Sequence, residues 1–416
     1  MASHVLSASA ADSDSSDVHS STDSDADSEE HSAILFYKYV AIADPDAFAD
    51  EQRQLCSALA LTGRVRVARE GINGTLAGAT SRAREYVGAM ARDARFADVD
   101  WKWSRGVARG VFDGSLRVLV KPELVALGVA GLAAPAPPPP GADAAAAAAA
   151  TGHLAPEEFD AALRARDAAT TVLLDVRNGY ESQVGRFADA TDPRTRNFSQ
   201  LPAWCAAHAE RLRAADAVYI YCTGGIRCEK ARELLLSGAV GAQRVYQLRG
   251  GIHRYLEAYP DGGLFRGKNF VFDRRVAVPP GARDDVFGRC ERCAAPWDEF
   301  RDDVRCAVCR MLVLLCPACA GGGADGADAA RGDAGDAGGI DARAFLCAEH
   351  REEMVAPSTE RVAEDVARLR SELKATPGRG NKSKRRALVR RIDRLEAELA
   401  SRAPRPEGPE GVAARE

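Results

Sequence analysis

Three things are scarce or missing in this chain of 416 residues. No apolar run approaches the length of a bilayer, which excludes a helical membrane span. Histidine numbers only 7, and no clear facial triad for non-haem iron stands out. No glycine-rich dinucleotide fingerprint is seen, so nothing points to a flavin or a nicotinamide. The stretch 1–32 contains no Lys or Arg and is rich in Ser and Asp. It reads as a disordered acidic tail, against an Arg-rich transit peptide, and no secretory core is visible. The expected location is therefore cytoplasmic, with the nucleus as an alternative through the basic run Lys382–Arg391. That tail dominates the formal charge of −4, and the remainder is mildly basic, which permits nucleic-acid binding. Eleven cysteines without an export signal read as metal and redox chemistry, not as a disulfide framework.

The pattern along the chain predicts an α/β multidomain protein. Residues 33–128 run β-α-β-β-α-β, the order of a ferredoxin-like, acylphosphatase-type sandwich. Glu70-Gly71-Ile72-Asn73-Gly74 falls between two strand candidates, either as a hairpin turn or as a substrate-facing loop. A Pro/Ala-rich linker covers 129–152. Alternating strands and helices over 153–263 predict a doubly wound parallel sheet, whose ligands lie beyond the carboxyl ends of the strands. A connector, 264–289, leads to a Cys-rich module, 290–350, with a flexible Gly/Ala/Asp insertion at 321–339. From 358 to 402 the chain is basic and helical. Val362, Val366, Leu369 and Leu373 share one face, and Leu388, Ile392, Leu395 and Leu399 another, as in a helical hairpin or a self-associating coiled coil.

Two constellations carry chemistry. Tyr219-Ile-Tyr-Cys222-Thr223-Gly224-Gly225-Ile226-Arg227-Cys228 places a cysteine where a strand run gives way to a glycine-bearing loop and a helix. Such a loop turns backbone N–H groups inward, the helix adds its positive end, and Arg227 adds a cation. Together they lower the pKa of Cys222 and cradle an anion. The loop could form and hold a persulfide, or attack a sulfane or phosphate group. The plainer alternative is a buried core cysteine. Cys228 is either a resolving thiol for Cys222 or first-turn packing. Asp175 reads as an organiser of the loop, and Arg177 as a residue that faces the pocket. The second constellation is four hooks: Cys290-x2-Cys293, Cys306-x2-Cys309, Cys316-x2-Cys319 and Cys347-x2-His350. Eight soft ligands suit two structural zinc ions, paired either sequentially or first with third and second with fourth. An iron–sulfur cluster fits the closing Cys-x2-His less well.

Cys-x-x-Gly-x-Arg at a strand-to-helix turn, Thr171-Val-Leu-Leu-Asp175-Val-Arg177 and Val245-Tyr-Gln-Leu-Arg-Gly250-Gly251-Ile252 resemble the rhodanese sulfurtransferases. A narrower resemblance rests on four ordered motifs. These are Phe36-Tyr-Lys-Tyr-Val40, Ala68-Arg-Glu-Gly-Ile-Asn-Gly-Thr-Leu76, Cys222-Thr-Gly-Gly-Ile-Arg-Cys-Glu-Lys230 and Gly267-Lys-Asn-Phe-Val-Phe-Asp273. The set resembles the rhodanese-domain tRNA uridine hydroxylases, whose bacterial members oxidise carbon 5 of the wobble uridine with O2. Eukaryotic relatives are named thiosulfate sulfurtransferase/rhodanese-like domain proteins. The resemblance implies a rhodanese domain at 153–263, Cys222 as the reactive group, Arg227 beside it, and an anion loop of Thr223, Gly224, Gly225 and Ile226. It also implies tRNA as partner and a Cys-rich tail. The expected activity is tRNA uridine hydroxylation, in which a Cys222 adduct at carbon 6 makes carbon 5 nucleophilic. The alternative is sulfane transfer from thiosulfate or a persulfide to a thiol or tRNA-thiolation acceptor. A third reading is a non-catalytic zinc and coiled-coil scaffold.

Overall fold

The computed structural model describes residues 29–129, 132, 150–281, 286–320, 345–347, 350–351, 359–377 and 382–402. The acidic tail up to residue 28, most of the expected linker and the insertion 321–339 lie outside the described residues. Two compact units are present, Met1–Gly288 and Arg289–Glu416.

The first unit opens with β1 (His31–Tyr39), α1 (Pro45–Ala58), β2 (Thr62–Ala68), β3 (Gly71–Ala79), α2 (Thr80–Ala91), β4 (Lys102–Arg105) and β5 (Leu116–Val120). β1 begins inside the stretch expected to be tail. Its Ser32 is buried, with its hydroxyl 2.8 Å from that of Thr80. α1 starts where the Asp44 side chain accepts the N–H groups of Asp46 and Ala47, with Pro45 in the first turn. The sheet order is β4-β1-β3-β2-β5. Its first four strands are antiparallel, in the ferredoxin-like order, and β5 adds a parallel edge beside β2. Phe36, Tyr86 and Trp101 stack in its core. The hairpin turn is Arg69-Glu70, and Gly71–Gly74 already belong to β3, so the Glu70–Gly74 motif is the end of a hairpin turn and the start of its second strand.

Next come β6 (His153–Leu154), α3 (Pro156–Ala165), β7 (Thr171–Asp175), α4 (Gly179–Gln183), β8 (Gly185–Phe187), α5 (Leu201–Ala207), α6 (Ala209–Ala214), β9 (Ala217–Tyr221), α7 (Ile226–Leu236), β10 (Val245–Leu248) and α8 (Gly251–Ala258). Four strands form a parallel sheet in the order β6-β10-β9-β7. Along β7, Val172 and Leu174 enter one core, with Leu234 and Leu235 of α7. Leu173 enters the other, with Phe159, Phe187 and Tyr255. Burial on both faces is what a parallel sheet under helices requires. The stretch expected as a connector is itself folded. β11 (Phe265–Gly267) pairs antiparallel with β8, and β12 (Asn269–Phe270) pairs with β13 (Ala277–Val278).

The second unit repeats one knuckle twice. Cys290 N–H bonds to Ala295 O and Ala294 N–H to Cys290 O, while Cys306 N–H bonds to Met311 O and Arg310 N–H to Cys306 O. Ala294 (φ 58°) and Arg310 (φ 63°) take the same left-handed turn. A third hook opens α9 (Pro317–Ala320). Helices α10 (Thr359–Ala375) and α11 (Lys382–Arg402) then pack on each other through Val366, Leu369, Leu388 and Ile392. Within the chain the two helices form a hairpin. Arg385 closes it by donating to the carbonyls of Leu373 and Thr376, at 2.8 and 2.6 Å.

Candidate active site

Cys222 follows the last residue of β9, at the carboxyl end of the parallel sheet. The loop Cys222–Gly225 turns the chain into α7 through Gly225 at φ 100°. A side chain there would also meet the Tyr37 hydroxyl at 2.9 Å. The Gly225 N–H donates to the Cys222 sulfur at 3.1 Å. Behind the loop, Ile252 and His253 of α8 donate backbone N–H groups to the carbonyls of Cys222 (2.9 Å) and Thr223 (3.1 Å). Two helix N-termini thus brace one loop.

Cys222 is fully buried. Burial alone pushes its thiol up. A hydrogen bond from Cys228, the charge of Arg227 and the N–H groups of Arg227 and Gly225 outweigh it and bring the pKa down to about 5. Cys228 shifts the opposite way: burial and its bond to Cys222 raise it, so it stays a protonated donor. The structure therefore brings Cys222 and Cys228 together.

Arg227 sits differently from a free anion-binding guanidinium. Its two terminal nitrogens grip the Glu181 carboxylate at 2.6 and 2.7 Å, and Thr223 Oγ1 lies 3.2 Å from both partners. Both side chains are almost wholly buried. Arg177 does not face the pocket either. It is fully buried in a fork with Asp175 at 2.6 Å, and Asp175 also accepts from Ser182 and Tyr221. The sequence had separated these residues from their partners. Glu181 lies three residues past Asn178 in α4, a position with no signal beyond following the Asp175-Val-Arg177 strand end.

The N-terminal sheet roofs the loop. The Tyr37 hydroxyl donates to Glu229 of α7 at 3.0 Å, and Glu229 also meets His153 (2.9 Å) and Gln247 (3.1 Å). Lys230 pairs with both Glu70 and Glu123 at 2.9 Å, so the Glu70 turn serves domain packing. Lys102 of β4 is buried, paired with Asp100 at 2.7 Å and set 5.3 Å from the Tyr37 ring centre. Beside Thr223 a crevice of about 30 Å³ runs between Leu35, Ser104, His253 and Phe272. It holds about one water. Three arginines of the first unit are paired with carboxylates, Arg254 with Asp100, Arg274 with Asp113 and Arg275 with Asp273.

In the second unit the hooks pair first with third and second with fourth. Cys290, Cys293, Cys316 and Cys319 form one group, and Cys306, Cys309, Cys347 and His350 the other. Within each, the ligand atoms lie within 4.8 Å of one another, so each group could hold a metal ion.

Fold and loop together define a rhodanese-like protein with an acylphosphatase-like domain laid over its reactive loop. Comparison with known proteins agrees. Residues 31–124 match the UPF0176 acylphosphatase-like domain, 155–258 the rhodanese-like domain and 266–327 the rhodanese C-terminal model. A tRNA uridine(34) hydroxylase of Pseudarthrobacter chlorophenolicus is 36% identical over 290 residues, covering 69% of this chain and 93% of that one. Its counterpart in Rhodococcus opacus is 38% identical over 294 residues, 69% of this chain and 96% of that one. Rhodanese-like domain-containing protein 6 of Arabidopsis thaliana is 36% identical over 308 residues, which are 70% of this chain and 51% of that longer protein. The chain belongs to the tRNA uridine(34) hydroxylase family. Among the described residues, no helix is long and apolar enough to cross a membrane.

Proposed function

We propose that this protein hydroxylates carbon 5 of the wobble uridine of tRNA, with Cys222 as nucleophile. The observation that carries the reading is the Cys222 thiol held at about 5, in a chain that its hydroxylase relatives match along most of their own length. Arg227, Thr223, Gly224, Gly225 and Ile226 shape the loop around it, Arg227 through its grip on Glu181. The Cys222 thiolate adds to carbon 6 of uracil, which turns carbon 5 into an enolate carbon. That carbon reacts with O2 to give a 5-hydroperoxide. The Cys228 thiol takes the distal oxygen, leaving the 5-hydroxyl and a sulfenic acid. Loss of the carbon-5 proton expels Cys222 and restores the double bond. Cys222 and the sulfenic acid then condense to a disulfide and release water. Uridine, O2 and two thiols become 5-hydroxyuridine, a disulfide and water, and an external dithiol reductant resets the pair. The contact between Cys222 and Cys228 supports this division of roles.

Zinc is the metal that the second unit fits. A tetrahedral zinc with Zn–S bonds of about 2.3 Å requires sulfurs about 3.8 Å apart. Cys293–Cys316 and Cys309–Cys347 stand at 3.7 and 3.9 Å, and His350 Nδ1 lies 3.2 Å from Cys347 and 3.4 Å from Cys306. Two ions, one in each group of four ligands, would cross-link the module, with no ligand position left for catalysis. A tRNA substrate makes the cytoplasm the working location within this proposal.

Nucleoside mass spectrometry of bulk tRNA from cells lacking the gene, complemented with wild type or Cys222→Ser, tests the reading. Loss of a 5-oxidised uridine restored only by wild type is the expected result. Unchanged 5-oxidised uridine without the gene overturns it.

A further inference from the structure

The rhodanese-like domain answers the charge of Cys222 through Cys228, Arg227 and two backbone N–H groups, but its buried cations are already shared with carboxylates. Its buried Arg177, Arg227 and Lys230 are each matched by carboxylates, Arg177 by Asp175, Arg227 by Glu181 and Lys230 by Glu70 and Glu123. None of these groups carries net positive charge. A buried anion without a matching cation is costly.

A further cation comes from the other domain. Lys102 is 1% exposed, in a residue type that is almost never wholly buried. Its ammonium reaches Asp100, but that carboxylate is 45% exposed and also takes Arg254. Water screens the outward partner far more than the inward ammonium. On its inner side Lys102 faces the Tyr37 ring, and the Tyr37 hydroxyl lies against Gly225, whose N–H holds the Cys222 sulfur. We propose that Lys102 is a positioning residue of the Cys222 site, supplying from the N-terminal sheet a positive charge that adds to that of Arg227 in holding Cys222 as a thiolate. The nucleophile is then a product of two domains, and the roof over the loop is part of its chemistry.

The electrostatics agree. Lys102 and Cys222 lie within each other's field, while burial lowers the Lys102 pKa and Asp100 partly restores it. The groups facing Cys222 are Cys228 and Arg227 from its own loop and helix, and Tyr37, Tyr39 and Lys102 from the roof. Glu229 stands behind Tyr37, and Glu181 behind Arg227. Asp100 and Arg254 face Lys102 from outside.

The proposal rests on Cys222 being the reacting group, and its test needs no tRNA. On the full-length protein, the pH titration of thiolate ultraviolet absorbance is measured for each variant and subtracted from that of its Cys222→Ser derivative. Lys102→Met should raise the Cys222 midpoint by about one pH unit, and Lys102→Arg should bring it back. Asp100→Asn, which frees the ammonium from its outward partner, should leave the midpoint at or below that of wild type. An unchanged midpoint in Lys102→Met overturns the proposal. So does a raised midpoint in Asp100→Asn, which decides the matter by itself if Lys102→Met does not fold. Failure here with intact hydroxylation would refute the role of Lys102 alone. Failure of hydroxylation with the shift intact would refute the reaction instead.

Discussion

Cys222 is buried and yet acidic, because short-range donors outweigh the loss of solvent. The sign of its pH dependence follows. The reactive form is the deprotonated one, so the rate should stay flat from neutral pH downward, halve near pH 5 and fall about tenfold per unit below it. Single-turnover hydroxylation of an anticodon stem-loop RNA across that range measures it. A limb near pH 8.5, that of an ordinary thiol, would mean that the loop does not activate the sulfur. Much of this residue was legible in sequence, since Gly225, Arg227 and Cys228 lie within six positions of it. Glu181 and Tyr37 were not. Glu181 meets Arg227 across 46 positions and Tyr37 meets Glu229 across 192. No local pattern reports a partner brought in by another layer of the fold, and for the same reason Arg227 and Arg177 looked free when each was already bound.

At the scale of elements, the site is a junction of two turns. The turn into α8 presses so closely on the Cys222 loop that Gly251, at φ 68°, has no room for a side chain: a methyl group would lie 2.5 Å from the Cys222 carbonyl oxygen. Gly251→Ala should therefore cost about 1–3 kcal/mol of stability, read by urea unfolding, and slow the reaction more than an equally destabilising core variant such as Leu234→Ala. Equal rates for the two would show that the brace is only structural. Elements with a clear period were readable in advance: the β-α-β-β-α-β run, the strand into Cys222, and the apolar faces of α10 and α11. β11 was not, because three residues show no period. Its pairing with β8, about 80 positions away in sequence, turned an expected connector into part of the domain. The two apolar helix faces were equally visible, but they do not say whether the partner is the neighbouring helix or another chain. The packing of Leu369 and Val366 on Leu388 and Ile392 shows the neighbouring helix as one partner.

At the scale of the molecule, the Cys222 loop and the two Cys/His groups belong to separate units. Chelator titration should leave the Cys222 titration untouched while it unfolds the second unit. Metal should leave in two steps, with the Cys306, Cys309, Cys347 and His350 group first. That group joins hooks 38 positions apart and the other joins hooks 23 apart, and the longer closure costs about 0.4 kcal/mol more. It also has three thiolates instead of four. Metal release and circular dichroism, with Cys347→Ser as the one-site control, measure this. Simultaneous loss would sink it. The crossed pairing also matters while the chain is being made. Cys290, Cys293, Cys306 and Cys309 leave the ribosome before any other ligand. These four thiols are enough to capture one ion, in a partnership that the finished protein does not use. An ion held by those four would have to exchange ligands once Cys316, Cys319, Cys347 and His350 are present, because the crossed groups share these thiols out differently.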